Sequence, residues 1–245
     1  MKARVRSRLA RVVGRPARRV EAIAPPEPEE LPALFASIGI DCDYSALDLA
    51  DLTVDTQGWG SFHPIFADVF RVLRPRVVIE VGTWKGASLL HMHELGRTFG
   101  CETRFVCIDT WLGSNDSIWL DPHDRRHLML RGGYPTMFRQ FVFNLLEHDA
   151  ADDVFPLPMT STTAARVLRR LGVVADAIYL DAGHEEEELA ADLRLYYDLL
   201  RPGGALFGDD FDERWPGVMR AANSFSRRQG LELGVHAKKW IVWKP

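Results

Sequence analysis

Apolar positions along the chain change their period several times. From residue 64, Ile65, Phe66, Val69, Phe70, Val72 and Leu73 recur at helical spacing, and Pro75 ends that segment. Short runs rich in β-branched residues follow at 76–81, 104–108, 154–157, 177–180 and 205–208. They are apolar on both faces, as strands of a parallel sheet covered by helices on each side are. Helix-like stretches at 87–98, 162–171 and 185–200 separate them, the last closed by Arg201-Pro202-Gly203-Gly204. Two further strands, 231–236 and 239–243, joined by a brief turn, should be antiparallel. This alternation predicts a doubly wound α/β fold, with a mostly parallel seven-stranded sheet and an antiparallel C-terminal strand.

Charge divides the chain unevenly. The first twenty residues hold Lys2, Arg4, Arg6, Arg8, Arg11, Arg15, Arg18 and Arg19 and no acid, so a net charge of −4 hides about −12 on the remainder. Val5, Leu9, Val12 and Val13 would make this start a basic amphipathic helix resting weakly on anionic lipid or on a partner. A solvated tail is the plainer reading, and the Arg-rich, acid-poor composition also resembles a transit peptide. Pro25, Pro26, Pro28 and Pro32, mixed with glutamates, read as a stiff linker, which divides the chain into a 1–35 extension and a 36–245 domain. An acidic body fits no nucleic-acid partner. Cys42, Cys101 and Cys107 form neither a disulfide framework nor a thiolate zinc site, so a reducing cytoplasm is expected. No apolar run approaches the roughly 20 residues of a membrane span, and the start lacks a secretory h-region. Association into a homo-oligomer is compatible with the sequence.

The first parallel strand carries chemistry at its end. Val77-Val78-Ile79-Glu80-Val81 runs into Gly82-Thr83-Trp84-Lys85-Gly86 and then a helix, a strand–turn–helix unit whose glycines allow a tight turn and close approach to a ligand. Trp84 stands where a nicotinamide fingerprint needs its second glycine, which counts against a dehydrogenase. Glu80 would accept from the ammonium end of an amino-acid-bearing cofactor, directly or through water, where a phosphate would be repelled. Asp109 closes the second strand, where a carboxylate can hold a ribose diol. Both acids are otherwise ordinary strand-end carboxylates.

A second set of acids lies further on. Asp181 ends the fourth strand and Asp209-Asp210 end the fifth, and neighbouring strands bring such ends together. Three carboxylates facing one volume would repel, and a dication removes that penalty, with all-oxygen ligation favouring Mg²⁺, Ca²⁺ or Mn²⁺. Alternatively, Asp209 or Asp210 caps the segment 211–218 and Asp181 bonds backbone amides. His184, at the mouth of the same strand, would take the proton from a hydroxyl that the metal has acidified, or is structural. The run Glu185–Glu188 suits a helix N-terminus. The connection from 111 to 152 is long; a packed helix is expected around Pro135–Leu146, and Trp119, Asp121, His123, Arg125, Arg126 and Tyr134 are candidate acceptor contacts or surface residues.

Taken with Asp109-Thr110-Trp111-Leu112-Gly113, Tyr179-Leu180-Asp181-Ala182-Gly183-His184, Leu200-Arg201-Pro202-Gly203-Gly204 and Gly208-Asp209-Asp210, the glycine turn resembles class I S-adenosylmethionine (SAM)-dependent methyltransferases over about residues 57–244. Within them it is similar to the metal-dependent sugar O-methyltransferases of the macrocin type. The resemblance implies a Rossmann-like methyltransferase fold and SAM contacts from Glu80, Gly82 and Asp109, with Thr83, Gly86 and Thr110 beside them. It also implies Ser161 by the adenine, and Gln57-Gly58-Trp59 over the methionine end. It implies Mg²⁺ on Asp181, Asp209 and Asp210, a base at His184, and methyl transfer to a hydroxyl of a small-molecule acceptor such as a sugar or glycosylated natural product. A SAM-binding partner module without catalysis and a nicotinamide-dependent oxidoreductase are the alternatives.

Overall fold

Val77–Val81 forms β1, five consecutive buried residues at the centre of the sheet. The computed structural model describes residues 26–114 and 116–245; the basic start, with its expected lipid or partner contact, lies outside them. The other strands are β2 (Arg104–Asp109), β3 (Val154–Pro158), β4 (Ala175–Leu180), β5 (Leu200–Gly208), β6 (Gly234–His236) and β7 (Lys239–Trp243). The helices are α1 (Leu31–Ala36), α2 (Pro64–Leu73), α3 (Ala87–Phe99), α4 (Asp116–Leu120), α5 (Pro122–Arg125), α6 (Met137–Glu147), α7 (Ser161–Leu171), α8 (Glu186–Tyr197) and α9 (Pro216–Gln229).

Among the described residues one seven-stranded sheet has the order β3-β2-β1-β4-β5-β7-β6, and β7 alone runs against the rest. The doubly wound architecture expected from the apolar pattern is the one observed. Val77, Ile79 and Val81 pack with α1, α7, α8 and α9 on one face, while Val78 packs with α2, α3 and α6 on the other. Chain order reverses between β1 and β4, so their carboxyl ends open the crevice where ligands bind in such sheets.

Three expectations need adjusting. Arg201-Pro202-Gly203-Gly204, expected to close the preceding helix, is an irregular part of β5, with Leu200 paired to Ala175 and the register slipping between Ala175 and Ala177. Gly204 permits it, because a Cβ there would lie 2.7 Å from the Asp176 carbonyl oxygen. Folded structure begins before residue 36: Leu31 and Phe35 are buried, Phe35 stacks on Phe155, and Arg76 bonds Glu27 and Glu29. Two of the four prolines that suggest a linker instead start helices, with Pro28 opening a 3₁₀ turn and Pro32 in the first turn of α1. The final hairpin starts at Gly234, not at 231.

Candidate active site

Strand parity assembles the site. Val78, Phe105, Cys107, Ala177, Tyr179, Ala205 and Phe207 all face α2, α3 and α6. Continuing each alternation places Glu80, Asp109, Asp181 and Asp209 on that same side at the carboxyl rim. Four acids therefore reach the rim from four adjacent strands.

The turn after β1 is held by its neighbours. Gly82 and Gly86 have φ of 87° and 91°, and a Cβ on Gly82 would stand 2.0 Å from the Asp181 carbonyl oxygen, so β1 and β4 meet at a point that only glycine fits. Asp109 Oδ2 accepts from the Trp84 amide (2.8 Å) and Oδ1 from the Trp111 amide (2.7 Å), while Trp111 Nε1 donates to the Trp84 carbonyl. Burial raises the Asp109 pKa, and backbone amides of Trp84, Trp111, Thr110 and Thr83 oppose it.

Glu80 is fully buried beneath α3. Oε1 accepts from the Ser88 hydroxyl and Oε2 has no hydrogen-bond partner among the described residues. Burial pushes its pKa up to about 8, with the charges of Asp181 and Asp109 adding and Ser88 opposing. A cavity of about 760 Å³ opens above this rim, lined by Gly82, Thr83, Asp109, Thr110, Ser161, Asp181, His184, Asp209 and Asp210. Its size suits a small-molecule ligand. Glu80 and Gly86 do not line it: Ser88 stands between Glu80 and the space, and Gly86 packs under Phe141. Ser88, whose hydroxyl donates to Glu80, is the residue of this pair that faces the cavity.

Of the acids beyond β4 and β5, Asp181 and Asp210 converge with His184, their ligand atoms lying within 4.8 Å of one another. His184 Nε2 is 2.6 Å from Asp210 Oδ2 but out of hydrogen-bond alignment, leaving a buried nitrogen unpartnered. Its ring stacks on Trp215 at 4.4 Å. Burial lowers the His184 pKa, yet Asp210, followed by Asp181 and Asp209, more than offsets this, and the net shift is upward. Burial and the charges of Asp209 and Asp210 raise Asp181. Asp209, expected in the ligand set, is diverted: Oδ2 pairs with the buried Lys239 ammonium and Oδ1 accepts from the Asp210 amide. The converging set is therefore Asp181, His184 and Asp210 rather than the three aspartates.

The candidate acceptor contacts Trp119, Asp121, His123, Arg125, Arg126 and Tyr134 all lie off the cavity wall, whereas Ile118, Asp124 and Trp215 line it. Trp119 Nε1 instead bonds the Leu112 carbonyl, and Arg125 the Trp119 carbonyl. Two further buried charges, Asp192 and Lys239, belong to this rim. Asp192 lines the cavity from α8, with Oδ1 unpartnered and a pKa raised by burial to about 6, against an opposing hydrogen bond from Ser161. Its signal was its phase, since it shares the buried stripe of Leu189, Leu193 and Tyr196. Lys239 has the parity of Ile241, which faces α2.

A family described as a methyltransferase domain matches residues 79–211, which span β1 to just past β5 and include Glu80, Asp109, Asp181, Asp192, Asp209 and Asp210. The chain belongs to this methyltransferase family. No curated protein matches the methyltransferase. Among solved structures it is similar to the O-methyltransferase from Bacillus cereus in complex with SAH (15% identity, 91% of this chain and 92% of that one, TM-score 0.53). It is also similar to TomG of Streptomyces achromogenes, an O-methyltransferase of tomaymycin synthesis in complex with SAM (13%, 86% and 90%, TM-score 0.53). A third is the O-methyltransferase NovP (18%, 74% and 78%, TM-score 0.54). At these identities the likeness is one of fold. No described helix of the methyltransferase is long and apolar enough to cross a membrane.

Proposed function

We propose that this methyltransferase carries the methyl group of SAM to a hydroxyl oxygen of a small molecule, a sugar or other natural product, with a hard dication at its acid cluster. The observation that carries the reading is that one cavity joins the glycine turn and Asp109 to Asp181, His184 and Asp210. A nucleoside sulfonium fits the first end: Asp109 keeps lone pairs free for a ribose diol, Gly82 and Thr83 let backbone approach, and Thr110 and Ser161 flank the nucleoside. Glu80 acts on the amino-acid end through Ser88. Similar folds solved with SAM or SAH support this choice of cofactor.

The second end fits a hard cation, since two carboxylates and an unpartnered imidazole nitrogen converge there. Asp181 and Asp210 would hold magnesium or a similar ion, which supplies, when bound, a Lewis acid that lowers the acceptor hydroxyl's pKa. Two carboxylates suffice for such an ion, which leaves His184 Nε2 to accept the hydroxyl proton as oxygen attacks the methyl carbon and the sulfonium leaves as a neutral thioether. Asp210 stabilises the resulting imidazolium and Trp215 fixes the ring plane. Alignment of oxygen, methyl carbon and sulfur supplies most of the rate.

An acid–histidine cluster in the nucleoside cavity favours an enzyme over a SAM-binding module. Three free cysteines accord with a cytoplasmic setting. Methyl transfer from SAM to a panel of sugar and phenol hydroxyls, with and without a chelator, tests the proposal. Transfer that stops on chelation and returns with Mg²⁺ is expected; transfer indifferent to chelation contradicts the metal, and none across the panel contradicts the acceptor class.

A further inference from the structure

Lys239 is the first residue of β7, the strand that runs against all the others. That reversal brings the start of β7, rather than its end, to the rim where β4 and β5 finish. Gly208 pairs with Trp240, so the next pair in register is Asp209 with Lys239. Parity turns both toward α2, and the ammonium is enclosed: the Lys239 side chain is 2% exposed, with Nζ 5.3 Å from the Phe66 ring centre and 5.1 Å from that of Tyr179. Nζ makes an ion pair with Asp209 Oδ2 and donates to the Tyr179 hydroxyl at 2.7 Å, which in turn donates to Asp181 Oδ2 at 3.0 Å.

We propose that Lys239 is a positioning residue that holds Asp209 away from the ion-accepting face, leaving Asp181 and Asp210 to carry the ion. This rests on the metal reading above. One internal ammonium lowers the negative charge that the three neighbouring carboxylates present to the cavity, and it does so by engaging Asp209. A buried lysine so close to the acids cannot be a bystander, because an ammonium enclosed by aromatic rings needs a partner, and Asp209 supplies it. Lys238, next along, pairs instead with the exposed-side Asp212, which leaves the inward position to Lys239 alone among the hairpin's lysines. The Gly60 backbone closes over the pair, since a Cβ there would sit 3.2 Å from Asp209 Oδ2 and 3.4 Å from Lys239 Nζ.

Calorimetric titration of the full chain with Mn²⁺ tests the assignment without reference to turnover. The wild type binds Mn²⁺, and Asp210→Asn loses affinity by about tenfold or more, at least what loss of a supporting residue costs a metal site. Lys239→Met frees Asp209 and tightens Mn²⁺ binding, a direction that loss of packing would not produce. The paired variant Lys239→Met with Asp209→Asn removes both charges together, leaves no buried ion unpaired, and keeps affinity within about threefold of the wild type, since a buried ion pair can be removed as a unit at little cost. Should Lys239→Met alone fail to fold, the paired variant still decides. A paired variant as weak as Asp210→Asn would make Asp209 a ligand and overturn the role of Lys239 while the metal reading stands. A folded wild type that binds no Mn²⁺ would overturn both.

Discussion

Glu80 and Asp181 show how single carboxyls are tuned by what surrounds them. Glu80 holds its proton more tightly when folded than a free glutamate, whose pKa is 4.5, with its own pushed up to about 8 because burial penalises its charge. Between those values the folded state binds more protons than the unfolded state, so stability falls as pH rises through the window and levels off above it. Glu80→Gln should therefore gain thermal stability over the wild type progressively from pH 5 to pH 8, read by unfolding midpoints; a difference independent of pH would mean the carboxyl is not held protonated. Asp181→Ala should abolish metal-dependent turnover while leaving SAM affinity largely intact, since its carboxylate faces His184 and Asp210 and the nucleoside is held from β1 and β2. Undiminished chelator-sensitive turnover in that variant would remove Asp181 from the ion site.

At the scale of elements, the site depends on how closely strands and turns approach. Gly82→Ala would place a methyl group 2.0 Å from the Asp181 carbonyl oxygen at a φ of 87°, so β1 and β4 would have to part at the ligand crevice. A soluble variant with weakened SAH binding is expected by calorimetry, and wild-type affinity would show that the turn is not part of the nucleoside site. In α1, Phe35 is buried against Phe155, and Phe35→Ala should cost about 3–5 kcal/mol in urea unfolding. A loss below about 1 kcal/mol would mark α1 as part of a loosely attached linker. This element shows where sequence reasoning stops: its prolines read as linker because Pro32 was not recognised as a helix-starting residue. The irregular start of β5 escapes the apolar pattern for a related reason, since Pro202 and two glycines interrupt it while pairing with Ala175 is a tertiary matter.

For the molecule as a whole, the doubly wound plan was legible because both-face apolar strands and intervening helices leave few alternatives. The glycine turn, Asp109, Asp181, His184 and Asp210 were legible at strand ends, and all but the turn's Lys85 and Gly86 meet one cavity. Three things were not. Glu80 sits one layer back because Ser88, a residue of ordinary appearance, intervenes. Asp209 and Lys239 are separated by 30 residues, and their pairing needed the register of an antiparallel strand. The candidate acceptor contacts depended on which way the α4–α5 connection turns, and local periodicity does not encode that.

The central claim is that a SAM-shaped ligand is held beside, and independently of, an acid–histidine site. Titration of SAH into the full chain, its Asp109→Ala variant and its Asp181→Ala variant tests it most directly. We expect one saturable site in the wild type, a loss of about tenfold or more in Asp109→Ala, on the scale of 1.4 kcal/mol or above, and affinity close to wild type in Asp181→Ala. No binding to the folded wild type, or equal binding by the Asp109→Ala variant, would contradict the account.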